Sequence, residues 1–325
     1  MGEVVIDRLI GEGSCGSVYL GSHQATKKLV AVKEVRKDGS TRSGRLLQRL
    51  DKEAKVMSSV HHKYICQYYG RVESDEASYL LMEYAKGGDL LDYINSQGPM
   101  PEKKARRIFK QLLQSLQFLH RAGYVHRDVK PENIFMTEGL KSIKLGDFGF
   151  ATRWRPDHTL DACVGTFPYT APEVLDQRPY VGPEVDAFSC GTVLLAMLTA
   201  RIPFAAPTKK QSLALLRKGE FTLLPEHGSP RAADLLAHLL HPDPLQRYTV
   251  DDALRHPWVQ GSSRAGALAI RQLLAFSSSS SSSAAASPSS SPALKRRRTD
   301  LAVLETAQKT CGKAKKTAGS SILTR

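Results

Sequence analysis

The sequence predicts an α+β protein in two lobes, a strand-rich front followed by a helix-rich back. Three observations carry this. Up to about residue 83 the chain reads as β-rich runs interrupted by one charged helical stretch. Beyond the Gly87-Gly88 pair, long helix-like segments take over. With 325 residues and 41% hydrophobic content, the chain can bury a substantial core in one large domain or two modest ones.

Taken in order, VVIDRLI (4–10) and SVYLGSH (17–23) read as strands on either side of a glycine-rich turn, and KLVAVKEV (28–35) as a third. A charged helix is expected over 45–59, then strands over 64–71 and 78–83. PEKKARRIFKQLLQSLQFLHRAG (101–123) and the apolar VDAFSCGTVLLAMLTA (185–200) are the clearest helices of the back half. SRAGALAIRQLLAF (263–276) suits a short helix with Ala267, Ile270, Leu273 and Leu274 on one side. The unbroken serines of 277–283, the alanines of 284–286 and two Ser-Pro pairs then cannot bury enough apolar surface to offset their ordering entropy. The expected division is a folded part over 1–260 and a largely disordered tail over 261–325. No internal repeat is visible.

Bulk properties exclude several classes. The five cysteines are scattered without C-x-x-C spacing, which argues against a disulfide framework or a zinc site and for a reducing compartment. MGEVVIDRLI has no basic segment followed by an apolar run, so no signal peptide is expected, and Ile6 breaks the myristoylation pattern. The longest apolar stretch, around 193–198, is far short of the ~20 residues of a membrane span, so no membrane partner is expected. The formal charge of +14 is unevenly spread. Residues 261–325 hold 11 lysines and arginines against 2 acids, whereas the first 260 hold 35 against 30. The basic excess therefore belongs to the tail, and no sequence-reading nucleic-acid module is recognisable.

GEGSCGSVYLG (11–21) contains G-x-G-x-x-G at Gly11, Gly13 and Gly16, a pattern that fits two phosphate-holding arrangements. In a dinucleotide-binding βαβ unit a helix follows the glycines and an acid lies about 20 residues on, a place Glu34 nearly meets. Here a strand-like segment follows Gly16 instead. Four further motifs stand in order: AVK with Lys33, HRDVKPEN (126–133), DFG (147–149) after the strand-like SIKLG, and APE (171–173). On these motifs residues 1–260 resemble a eukaryotic-type protein kinase domain, with an N-lobe over 1–82, a hinge over 83–88 and a C-lobe over 89–260.

The resemblance implies ATP and Mg²⁺ as cofactors and assigns roles. Transfer of a γ-phosphoryl group needs positioning and neutralisation of spread negative charge more than covalent help. Ile10, Gly11, Gly13, Ser14 and Gly16 would form the flap over the phosphates. Lys33 would contact the α- and β-phosphates, held by Glu53, with Asp51 as the second choice. Asn133 and Asp147 offer oxygens to Mg²⁺. Asp128 would orient the acceptor hydroxyl and take its proton, and Lys130 would steady the γ-phosphate. Around the adenine the resemblance puts Val18, Ala31 and Phe135 as a sandwich, with Met82 guarding the back pocket. By the same resemblance the Glu83 carbonyl and Ala85 N–H would face the adenine edge, and Asp89 would reach the ribose. Glu173 with Arg247, Asp186 and His126 are expected to be scaffold.

Lys130 two residues after Asp128, and GTFPYTAPE (165–173), match the serine/threonine pattern rather than the tyrosine one, with Thr166 bracing Asp128 and Lys130. Glu132 and Asp89 resemble acids that bind an arginine before the acceptor, so protein substrates of the form R-x-x-S/T are expected. CVGTFPYTAPE and EVDAFSCGTVLLAML are similar to the calcium/calmodulin-dependent kinase group, especially the checkpoint kinase one, AMP-activated and testis-specific families. Val164 is an extra residue relative to the checkpoint family, and Phe188 stands where Trp is usual. Arg127 is the residue that phosphorylated activation loops contact. The loop offers Thr152 and, better placed, Thr159, with a loop ordered without modification as the alternative. In the tail, PALKRRRTD (292–300) resembles a nuclear-localisation signal and contains R-x-x-T at Arg296 and Thr299, a candidate autophosphorylation site. Nuclear import machinery is thus a candidate partner, with the cytoplasm, the nucleus or both as location, and a monomer is expected. Cys15, at the flap tip where many kinases carry an aromatic, is a candidate redox-sensitive thiol. The alternatives to an active enzyme are a kinase-like binding scaffold and a nucleic-acid binder.

Overall fold

The computed structural model describes residues 3–13, 16–261 and 322–323. Ser14, Cys15, the expected helix over 263–276, the serine run and the Arg296–Thr299 site lie outside the described residues.

The front of the chain builds an antiparallel sheet from β1 (Val4–Gly13), β2 (Gly16–His23), β3 (Leu29–Arg36), β4 (Tyr68–Glu73) and β5 (Ala77–Glu83), in spatial order β1-β2-β3-β5-β4. Alternation along β3 divides its side chains between the two faces. Val30 and Val32 join Val4 and Leu81 in one small cluster, while Ala31 and Val35 belong to the main core. Helix α1 (Thr41–Ser59) packs on the sheet between β3 and β4. It begins four residues before the expected start because Ser40 caps it, its hydroxyl accepting from the Ser43 amide at 3.0 Å. The Ser43 hydroxyl in turn donates to the Arg36 carbonyl at 2.6 Å. The strand expected from residue 64 begins only at Tyr68. Residues 64–67 instead fasten to the second lobe, the Cys66 amide donating to the Leu145 carbonyl at 2.9 Å.

The second lobe opens with α2 (Leu90–Gln97) and α3 (Glu102–Arg121). Ala105, Ile108, Phe109, Leu112, Leu116 and Leu119 recur at helical spacing on α3 and are fully buried. Short strands follow: β6 (Tyr124–Val125), β7 (Ile134–Met136), β8 (Ile143–Leu145) and β9 (Thr152–Arg153), with β6 paired to β9 and β7 to β8. Single 3-10 turns occupy Pro131–Asn133 and Glu138–Leu140. Then come α4 (Pro172–Leu175), α5 (Pro183–Thr199), α6 (Lys209–Lys218), α7 (Pro230–Leu239), α8 (Val250–Arg255) and α9 (Pro257–Gln260). Every residue of α5 from Val185 to Thr199 is buried, so the helix has no polar stripe and reads in the sequence as one apolar run. It packs against α3, α7 and α8 and forms the axis of the lobe. Residues 322–323, within the tail expected to be disordered, form β10 (Ile322–Leu323) on the free edge of β1, opposite Val5 and Val4.

Candidate active site

Most of the candidate residues converge where the sheet faces the second lobe. Lys33 points from β3 into that junction, and its Nζ lies 2.7 Å from Glu53 Oε2 and 3.2 Å from Asp147 Oδ1. Asp51, the second choice for this pairing, is turned away and bound to Arg71. Burial pushes the Glu53 carboxyl up and Asp147 adds to the push; Lys33 offsets only part of it. Burial acts the same way on Asp147, but Lys33 above all, with Lys130, outweighs it and holds this carboxyl below its usual value. The two carboxylates on one lysine are thus shifted in opposite directions.

Asp128 sits at the centre of a second network. Its Oδ1 accepts from the Thr166 hydroxyl at 2.8 Å and its Oδ2 lies 3.0 Å from Lys130 Nζ. Lys130 also donates to Thr166 Oγ1 at 2.9 Å. Asn133 Nδ2 donates to the Asp128 carbonyl at 2.8 Å and to its Oδ2 at 3.2 Å. With the amide nitrogen used twice toward Asp128, the Asn133 side-chain oxygen is left as an acceptor. Asp147 and Asn133 then supply one carboxylate and one amide oxygen. This hard-donor set fits Mg²⁺, which takes few protein ligands and completes its shell with phosphates and water.

The loop carrying Asp128 is held from below. Asp186, near the start of α5, accepts from the amides of His126 and Arg127, each at 2.8 Å, and from His120 Nε2 at 2.8 Å. His126 is fully buried; its Nε2 bonds the Gly146 carbonyl at 3.0 Å while Nδ1 receives the Asp128 amide at 3.3 Å. Those partners assign the proton to Nε2 and leave the ring neutral, a packing role. Arg127 and Asp147 both adopt left-handed backbone, at φ 67° and 55°. Such strain, on the order of 1 kcal/mol or more each, persists only where surrounding bonds over-determine the chain. Glu173 on α4 and Arg247 form a two-pronged buried pair at 2.7 and 3.0 Å.

The remaining candidates lie on β1, β2, β3, β5 and β7 and on the residues that join the sheet to the second lobe. Ala31 and Met82 face each other across β3 and β5, and Gly11 pairs with Val18 across the flap. Gly16, at φ 117°, closes the flap turn; a Cβ there would overlap the Glu34 carbonyl. Ile10 lies at the outer edge of the flap, partly exposed. Beyond Glu83 and Ala85 the hinge runs alongside β7. The Gly87 amide donates to the Met136 carbonyl at 2.9 Å, and the Met136 amide to the Gly88 carbonyl at 2.8 Å. A Cβ on Gly87 would come within 2.6 Å of the Met136 oxygen, so only glycine permits this approach. Asp89 bridges to Phe135 and also caps α2, accepting from the Asp92 amide at 2.8 Å. Burial, with Asp92 and Glu132 nearby, pushes its carboxyl up to about 6. Burial likewise raises Glu132.

Three contributors escaped the sequence reading. His120 reaches Asp186 from α3 across 66 residues of sequence. Glu184 closes the start of α5, accepting from the Val181 and Gly182 amides. Tyr180 bonds Arg127. None has a local signal, because each partner is distant in sequence or is a backbone group.

Residues 4–259 match the family described as "Protein kinase domain". The chain is 36% identical over 261 residues to sperm motility kinases 3A and 3B of Mus musculus, and 35% identical over 255 residues to serine/threonine protein kinase OSK3 of Oryza sativa. These alignments cover 80% and 78% of this chain but 50% of each relative, so the chain spans about half the length of the curated relatives it matches.

Proposed function

The chain belongs to the protein kinase domain family, and from that premise we propose that it is an active serine/threonine kinase moving the γ-phosphoryl group of ATP to protein hydroxyls. The observation that carries this is Lys33 held between Glu53 and Asp147 at 2.7 and 3.2 Å, an intact charge relay facing the cleft. Lys33, fixed by Glu53, binds and orients the α- and β-phosphates. Gly11, Gly13 and Gly16 let backbone amides approach them. Mg²⁺, when bound through Asp147 and Asn133, neutralises phosphate charge. Asp128, held by Thr166 and Asn133, accepts the hydroxyl proton, and Lys130, 3.0 Å from the Asp128 carboxylate, steadies the transferred group. Ala31, Val18, Met82 and Phe135 exclude water from the adenine, whose edge meets Glu83 and Ala85.

For the acceptor, Asp89 and Glu132 favour arginine three residues before Ser or Thr. The subgroup is the calcium/calmodulin-dependent one, and the basic run over 295–298 directs a monomeric chain toward nuclear import. The test is incubation of the full chain with labelled ATP and a basic R-x-x-S peptide beside Asp147→Ala. Wild type should transfer label and the variant should lose it by at least about 10³-fold. Equal incorporation by both, or none by wild type, rejects the reading; nucleotide binding without transfer would leave a binding scaffold.

A further inference from the structure

Arg127 precedes Asp128 and carries its side chain toward the segment between Asp147 and Glu173, which on the kinase reading would border a bound peptide. Its Nε donates to the Phe150 carbonyl at 2.9 Å and its Nη1 to the Tyr180 hydroxyl at 3.1 Å. Both acceptors are neutral, and among the described residues Arg127 makes no ion pair. The Tyr180 hydroxyl in turn donates to the Ala162 carbonyl at 2.8 Å. Accepting from a cation polarises that O–H, so the two bonds strengthen one another in a buried place. Tyr180 is 3% exposed.

The same residue grips the segment a second time through its backbone. Leu160 N donates to the Tyr180 carbonyl at 2.7 Å, and Tyr180 N to the Leu160 carbonyl at 2.9 Å. Three residues past Ala162, Gly165 adopts φ 113° and packs so close to the Arg127 carbonyl that a Cβ would lie 2.9 Å from it. Next, Thr166 reaches Asp128. Residues 160–166 are therefore pinned to the catalytic loop by Tyr180 at one end and Thr166 at the other. Thr159, the phosphate-switch candidate, is exposed just outside this clamp.

We infer that the Tyr180 hydroxyl is a positioning group that couples Arg127 to residues 160–166 and so sets the peptide-facing segment without a phosphate on Thr159. This rests on the kinase reading above. It assigns Tyr180 to protein-substrate affinity rather than to ATP binding or transfer, and makes phosphorylation of Thr159 dispensable.

The test compares full-length wild type, Tyr180→Phe and Thr159→Ala made in bacteria, using an R-x-x-S peptide and ATP, together with amide hydrogen exchange. Loss of one charge-assisted link should raise the peptide KM of Tyr180→Phe about tenfold, with kcat and the ATP KM within about twofold of wild type. Exchange should quicken over 160–166 and stay unchanged in α5. Thr159→Ala should match wild type. An unchanged peptide KM in Tyr180→Phe overturns the inference, as does faster exchange spread equally through α5, the mark of a general loss of stability. A Thr159→Ala chain that has lost transfer overturns it too. If wild type itself transfers nothing, the functional reading fails, while exchange over 160–166 still reports on the clamp.

Discussion

Replacing Arg247 by Met is the sharpest probe of the frame that Glu173 and Arg247 build in the second lobe. The side chains of Arg247 and Glu173 are 0% and 2% exposed, and the guanidinium meets both carboxylate oxygens. Arg247 further donates to the carbonyls of His241 and Glu184, each at 2.9 Å, and of Pro242 at 3.3 Å. The substitution leaves a buried carboxylate without its counter-charge, which costs about 3–5 kcal/mol. For a folded unit of this size that is a fall of roughly 10 °C in Tm, and a large share of a stability of about 5–15 kcal/mol. The pair itself is not the source of that energy, because desolvation offsets most of its attraction. The double variant Glu173→Met/Arg247→Met should therefore recover a good part of the loss, short of wild type by the carbonyls left unbonded. Urea melts of the three proteins measure this. A single-variant loss below about 1 kcal/mol, or a double variant as unstable as two additive losses, refutes the reasoning.

Other substitutions separate function from stability. Glu53→Gln should lower kcat/KM for ATP about 100-fold, because Lys33 loses one of its two anionic partners, yet leave Tm unchanged or higher, since Asp147 still meets the cation. The buried carboxyl it removes is one that burial already pushes up; a melt beside a kinetic assay checks both halves. Gly87→Ala should destabilise by about 1–3 kcal/mol, since the new methyl meets the Met136 oxygen at 2.6 Å, and a denaturant melt reads it. Arginine preference should weaken in acid. Asp89 has its carboxyl pushed up to about 6, so below that pH it is neutral and no longer attracts a guanidinium. The ratio of kcat/KM for R-x-x-S over A-x-x-S peptides should fall between pH 7.5 and 5.5; a ratio constant across that range removes Asp89 from arginine recognition.

Much of this architecture is legible from local pattern. β3 announces itself by β-branched residues around Lys33, and α3 by apolar residues at helical spacing. The start of α1 is harder to read, since it depends on a serine cap, and its first turn, Thr41 to Gly44, holds no apolar residue. Residues 64–67 carry β-rich composition yet are turned aside by their bond to Leu145, nearly 80 residues away. The site shows the same contrast. Lys33, Asp128, Asn133 and Asp147 stand in short ordered motifs, whereas the choice of Glu53 over Asp51 needs the helix's rotation on the sheet. His120, Tyr180 and Glu184 act through distant partners or backbone amides, and nothing beside them in the chain marks the need.

Asp186 has a consequence for the protein while it is being made. The loop bearing Asp128 emerges from the ribosome nearly 60 residues before the carboxylate that receives its His126 and Arg127 amides. Until that stretch is synthesised and α5 can settle against α3, those amides have only water to bond. The Glu173 carboxylate waits longer still, for Arg247, 74 residues further along the chain. A nascent chain therefore carries the glycine flap and Lys33 well before it owns a braced loop around Asp128, and the candidate site is completed late and together with the helical lobe.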